Sequence, residues 1–126
     1  MTDDQPLVLL IDDEDLVREM LTSALELGGY RVVTAADGVE GLEMYEKHRP
    51  RVVVTDILMP EKEGIETIME MRQNGDDTVI VAISGGDRSG SELFLEVAGR
   101  LGADRTLAKP FRPKELLGVI AELLAA

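Results

Sequence analysis

Short apolar runs alternate along the chain with longer stretches of helical period. The runs lie at residues 7–11, 30–35, 51–55, 79–83 and 105–108. Val and Ile dominate three of them, and continuous apolar runs of this length predict strands buried on both faces of a sheet. Between the runs, apolar residues recur at three- and four-residue steps, the signature of helices with one buried face. Val17, Met20, Leu21 and Ala24 mark the first helix, Ile65, Ile68 and Met69 the third, and Phe94, Val97, Ala98 and Leu101 the fourth. Leu116, Leu117, Ile120, Leu123 and Leu124 mark the fifth, whereas the second rests only on Val39, Leu42 and Tyr45. The punctuation agrees. Asp37 with Glu40, and Ser89 with Glu92, have capping-box spacing. Pro113 suits a first helical turn, where its missing N–H costs nothing. Gly28, Gly75 and Gly102 fall just past helix ends, where a left-handed residue is wanted. Five strands, each followed by a helix, predict a (βα)5 chain. Parallel strands need crossovers, and right-handed crossovers put helices on both faces of the sheet. The expected fold class is therefore α/β: a doubly wound, five-stranded parallel sheet.

Composition narrows what such a domain does. The 126 residues include 13 Lys+Arg against 25 Asp+Glu, a net charge of −12. That charge opposes binding to nucleic acid or anionic lipid, because both depend on basic residues neutralising phosphates. The absence of cysteine excludes disulfides and Cys-ligated zinc, and suits a reducing compartment. No apolar run approaches the roughly 18–20 residues of a membrane span. The acidic stretch from Met1 to Pro6 is unlike a signal peptide. The expected setting is cytoplasmic, with no nucleic-acid or membrane partner.

Candidate chemistry sits at the strand ends. In an open parallel sheet, ligands bind beyond the C-terminal strand ends, where the strand order reverses. The first run ends in Asp12-Asp13, followed by Glu14 and Asp15; the third ends in Asp56. The fourth ends in Ser84-Gly85-Gly86 and the fifth in Lys109-Pro110. Each feature alone has a plain structural explanation: a turn aspartate, a flexible glycine turn, an ordinary loop. Together they place three carboxylates, a hydroxyl and an ammonium on one rim. Adjacent carboxylates resist joint ionisation unless a cation is near. An all-oxygen cluster suits Mg²⁺, which binds one or two carboxylates together with a phosphate. A carboxylate is also able to attack phosphorus, and phosphoryl transfer needs mostly positioning and charge neutralisation. An acidic rim without chemistry is the alternative that arrangement alone leaves open.

Four ordered motifs carry a resemblance. Ile11-Asp12-Asp13-Glu14, Thr55-Asp56-Ile57-Leu58-Met59-Pro60 with Gly64, Ile83-Ser84-Gly85, and Ala108-Lys109-Pro110-Phe111 together resemble a response-regulator receiver domain. Each motif is weak alone; the ordered set is specific and spans essentially the whole chain. The resemblance implies a flavodoxin-like fold with strand order 2-1-3-4-5, the order known for chemotaxis receivers. It implies one receiver domain over residues 1–126, with no output domain. Asp56 then resembles the phosphoacceptor. Asp13 resembles a direct Mg²⁺ ligand, Asp12 one acting largely through water, and the Leu58 carbonyl completes the set. Ser84 resembles the hydroxyl that moves toward the phosphoryl group, and Lys109 the lysine that pairs with Asp56 and then with phosphate. The Lys109–Pro110 bond is typically cis in the family. The implied partner is a histidine kinase or phosphotransfer protein that donates from phosphohistidine, docking on the first helix, where Leu16 offers an apolar contact and Arg18 and Glu19 face outward. Output passes to an unidentified protein through the fourth helix, fifth strand and fifth helix, around Glu92, Glu96, Arg100, Arg105 and Lys114. The domain catalyses only its own modification and is otherwise no enzyme.

Some positions depart from the family pattern. Thr106 stands where an aromatic switch residue is common, so switching is expected to use backbone movement of the Ser84 loop and fourth helix. Leu58 and Gly86 occupy positions that tune self-dephosphorylation. Neither is able to orient a water, which predicts slow loss of phosphate. The glycine-rich stretch 85–90 is expected to be mobile before phosphorylation; it lacks the GKS/T of a P-loop. His48 reads as a solvated helix-end residue. Two other functions fit the residues less well. Haloacid-dehalogenase-type phosphatases need a second Asp where Leu58 stands. A flavodoxin would have a hydroxyl-rich phosphate loop where Asp12–Asp15 lie. The remaining alternative is a phosphorylation-independent interaction module with a receiver fold, favoured only by Thr106.

Overall fold

A computed structural model describes residues 5–57, 64–73, 77–84, 96, 98–100 and 102–125. Five strands form one parallel sheet: β1 (Leu7–Ile11), β2 (Arg31–Ala35), β3 (Val52–Asp56), β4 (Val79–Ser84) and β5 (Arg105–Ala108). Their order is β2-β1-β3-β4-β5, as the resemblance implied. Three helices, α1 (Asp15–Leu27), α2 (Gly38–His48) and α3 (Gly64–Gln73), and a C-terminal helix (Pro113–Ala125) pack on the sheet. Glu96 and Ala98–Arg100 are helical too, within the stretch predicted as the fourth helix.

The central strands have two buried faces because each side chain of an apolar run meets a helix layer. Val8 and Leu10 of β1, with Val52 and Val54 of β3, face α1 and the C-terminal helix through Leu21, Leu25, Leu116 and Ile120. Leu9, Ile11 and Val53 point the other way, onto Tyr45 of α2 and Ile68 and Met71 of α3. The alternation is the period-2 geometry of a strand. Each fully buried Leu or Ile contributes about 1.5–3 kcal/mol relative to exposure. The edge strands β2 and β5 are only partly covered.

Several expectations shift by a residue or a face. Strand β2 starts at Arg31 rather than Tyr30, and β3 runs Val52–Asp56 rather than 51–55. Val39 is exposed, so the inner side of α2 rests on Tyr45, on the partly buried Leu42 and Met44, and on Gly41, whose missing side chain lets it lie against Ile11. Met20 and Met69 are exposed as well, and Met71 fills the core instead. After α1 the left-handed residue is Gly29 (φ 99°), not Gly28 (φ −81°). Gly28 lies against Leu117 of the C-terminal helix, whose Cδ2 would have to shift for a Cβ. Gly102 has the expected positive φ, 140°. Asp37 caps α2 by accepting from the Glu40 N–H at 2.8 Å, while Glu40 reaches back to Ala36 N–H rather than to Asp37. The pairs at Ser89–Glu92 and the turn at Gly75 lie outside the described residues. No helix among the described residues is long and apolar enough to cross a membrane.

Candidate functional site

Sheet register alone brings the polar strand ends together. Ile11 of β1 pairs with Thr55 of β3, so the next residues on each strand, Asp12 and Asp56, stand side by side. Asp56 pairs with Ile83, and Ser84 pairs with Ala108, which places Ser84 and then Lys109 one step further along the same rim. The rim flanks β1, which has β2 on one side and β3 on the other, the point where strand order reverses. Thr106 lies lower on β5, opposite Ala82 and half-buried.

Asp12 is fully buried and Asp56 nearly so, while Asp13 is exposed. Carboxylate oxygens of the three lie within 4.8 Å of one another. Lys109 Nζ donates to Asp12 Oδ2 and Asp56 Oδ2, both at 3.2 Å, and to Glu14 Oε1 at 3.1 Å. Burial raises the Asp12 carboxyl above its ordinary value of 3.8, against the lowering effects of the Glu14 N–H and Lys109. Burial alone would lower the Lys109 ammonium, but the charges of Asp56 and Asp12 outweigh it and push the group above its usual value.

Backbone contacts fix the frame around these side chains. Glu14 N–H donates to Asp12 Oδ1 at 2.9 Å, and Arg18 Nη1 holds the Asp12 carbonyl at 2.6 Å. That contact turns Arg18 toward the site rather than outward as its helix position suggested, and its Nη2 also pairs with the exposed Asp15. The Lys109 N–H donates to the Ser84 carbonyl at 2.6 Å, tying the ends of β4 and β5 together. The Lys109–Pro110 bond is cis, as the resemblance implied. Gly64 starts α3 directly against the backbone of Asp56 and Ile57, where a Cβ would collide with the Asp56 carbonyl. Gly64 thus lets α3 abut the strand end that presents Asp56.

The Ser84 hydroxyl is buried and has no hydrogen-bond partner among the described residues. An unsatisfied buried hydroxyl costs about 1–3 kcal/mol, and an anionic oxygen arriving beside it would remove that cost. Oxygen donors alone, clustered and partly dehydrated, fit a hard divalent cation such as Mg²⁺. Of the residues nominated from sequence, Asp12, Asp13, Asp56, Ser84 and Lys109 share this rim. Leu58, Gly86 and the stretch 85–90 lie outside the described residues. Sequence reasoning missed the Glu14–Lys109 pair, the Arg18 brace and the close approach at Gly64. Only Gly64 left a signal, as a glycine at a helix start.

Comparison with known proteins gives one answer. The model of the response regulator receiver domain matches residues 8–121. The chain is 44% identical to the response regulator MprA of Mycobacterium leprae over 118 residues, 93% of this chain and 50% of that protein. It is 40% identical to the probable transcriptional regulator ycf27 of Cyanophora paradoxa, covering 93% of this chain and 47% of that one. The chain thus spans about half the length of the curated relatives it matches. Among solved structures, a putative response regulator from Chloroflexus aurantiacus superimposes with a TM-score of 0.86 at 33% identity, covering 97% of this chain and 99% of that one. The chemotaxis protein CheY4 of Vibrio cholerae gives 0.83 at 30% identity, over 94% and 98% of the two chains. The fold, the ordered motifs and the rim at the strand ends agree with these likenesses: the chain belongs to the response-regulator receiver family of two-component signalling.

Proposed function

We propose that this receiver accepts a phosphoryl group on Asp56 from phosphohistidine of a histidine kinase or phosphotransfer protein. One observation carries the reading. A largely dehydrated cation, Lys109, is held 3.2 Å from both Asp56 and Asp12, beside a buried Ser84 hydroxyl that has no partner among the described residues. In the step itself, an Asp56 carboxylate oxygen attacks phosphorus while the P–N bond to the donor imidazole breaks. The bonding pair stays on that imidazole nitrogen. Asp12, Asp13 and Asp56, with the Leu58 carbonyl expected from the family pattern, would hold Mg²⁺. When bound, the ion neutralises charge on the phosphoryl oxygens. Lys109 neutralises a further oxygen, and Ser84 donates a hydrogen bond to another. The domain contributes only to its own phosphorylation and dephosphorylation and turns over no metabolite.

The donor's approach also has support in the chain. Beside Lys109 lies a cavity of about 460 Å³ whose walls include Met20 of α1 and Phe111. Leu16, one turn before Met20, is 80% exposed. An apolar surface next to the acceptor suits a protein donor better than a small hydrophilic one. Output through β5, the C-terminal helix and the fourth helix would reach a protein effector. The matching transcriptional regulators, about twice as long, are consistent with an effector of that type.

The test is intact-mass spectrometry after incubation with acetyl phosphate, with and without Mg²⁺, beside the variant Asp56→Asn. A single Mg²⁺-dependent phosphoryl adduct, absent from the variant, is expected. No adduct from either acetyl phosphate or a phosphorylated kinase would favour the phosphorylation-independent interaction module.

A further inference from the structure

We infer that Glu14 is a positioning residue that restrains Lys109 before phosphorylation and so limits how readily the site takes up a phosphoryl group. The inference deepens the proposed phosphoryl chemistry and rests on it. Three carboxylates share one ammonium: Asp12 and Asp56 from within, and Glu14 from the solvent side. Glu14 makes the shortest of the three contacts, 3.1 Å, yet its side chain is 61% exposed. Glu14 also differs in its options. Asp12 and Asp56 belong to the acidic trio whose oxygens converge within 4.8 Å, whereas Glu14 lies outside that trio. A divalent cation on the trio would therefore weaken two of the lysine's attachments and leave the one to Glu14 intact.

Two consequences point the same way. The Glu14 carboxylate holds Lys109 on the solvent side of the site, so a phosphoryl oxygen must compete with it for the ammonium. Glu14 also adds a negative charge at the mouth of the site, opposing an anionic group on its way in. Two unit charges about 4 Å apart in water interact by enough to change an equilibrium about fivefold, and an exposed pair is screened by salt. The Glu14 backbone N–H, which orients Asp12 Oδ1 at 2.9 Å, is untouched by side-chain changes. Substitution therefore tests the carboxylate alone.

Two variants separate contact from field. Glu14→Gln removes the charge, and Glu14→Asp keeps it but draws it back by one methylene, too short to hold Lys109. The readouts are affinity for beryllofluoride, an unreactive phosphoryl mimic, in saturating Mg²⁺ at low and high salt, and Lys109 side-chain order by NMR in metal-free protein. Mg²⁺ affinity of each variant within about twofold of wild type shows that fold and metal site are intact. The expected result is a gain in beryllofluoride affinity for both variants, about fivefold for Glu14→Gln and smaller for Glu14→Asp, which keeps the charge; both gains shrink at high salt, with Lys109 less ordered in both. Unchanged affinity and order in both variants overturn the inference. A gain confined to Glu14→Gln also overturns it, since that outcome assigns the effect to charge at a distance rather than to the lysine contact. Wild-type protein that binds beryllofluoride while the variants match it leaves the proposed phosphoryl chemistry standing. Wild-type protein that binds none removes that chemistry, and the inference with it.

Discussion

At the scale of single residues, the site pays for readiness with an ill-solvated charge. Asp12 is wholly buried, and burial raises its carboxyl above 3.8. A group raised in this way favours the folded state when protonated. That contribution is complete below pH 3.8 and disappears as pH rises through the group's folded value. Ionised Asp12 is therefore dehydrated in metal-free protein, a cost that a divalent cation would offset. At a hundredfold excess over its Kd, Mg²⁺ should stabilise the fold by about 2.7 kcal/mol, a rise in Tm on the order of 10 °C. The increment should shrink as pH is lowered from 7.5 toward 4, because protons compete for Asp12. Thermal unfolding with and without Mg²⁺ across that range checks it; an increment independent of pH would contradict the role given to Asp12. A second residue-scale expectation concerns lifetime. Leu58 offers no polar atom from its side chain to orient an attacking water, so Leu58→Asn should speed loss of the phosphoryl group. Decay of the adduct followed by intact mass is the measurement, and equal decay in the two proteins would count against it.

At the scale of elements, the strand ends do most of the placing and the helix starts refine it. The register of β1 on β3 sets Asp12 beside Asp56 without help from any loop. Gly64 then lets α3 begin against the Asp56–Ile57 backbone. Adding a methyl group there must push α3 or the strand end away, a form of overpacking that costs about 1–3 kcal/mol. Gly64→Ala should therefore lower thermal stability and reduce phosphorylation together. Full adduct formation at wild-type rate in a destabilised variant would show that the close approach serves packing alone. Here the limits of sequence reading are also visible. The central strands were legible because both of their faces are buried, so their runs are unbroken. The exact left-handed residue after α1 was not legible. Two adjacent glycines follow the helix, and the pattern of residue types does not say which of them takes the positive φ that Gly29 adopts. Val39 and Met20 misled for a similar reason: an apolar residue at helical spacing does not reveal which side the sheet lies on.

At the scale of the whole molecule, two apolar layers hold a sheet whose C-terminal rim gathers the charge. Asp12, Asp13, Asp56, Ser84 and Lys109 were legible as a set because strand ends of a doubly wound fold share one rim. The Glu14–Lys109 pair was not, since it joins two loops separated by 95 positions and leaves no periodic trace. The central claim is that Asp56, among several carboxylates on that rim, is the one that takes the phosphoryl group. The most direct test is reduction of the phosphorylated protein with borohydride, which converts an acyl phosphate on aspartate to homoserine, followed by peptide mass mapping. Homoserine at position 56 alone, and only after exposure to phosphodonor with Mg²⁺, is the result predicted. Homoserine at position 12 or 13, or none in protein that carries the added phosphoryl mass, would contradict the account.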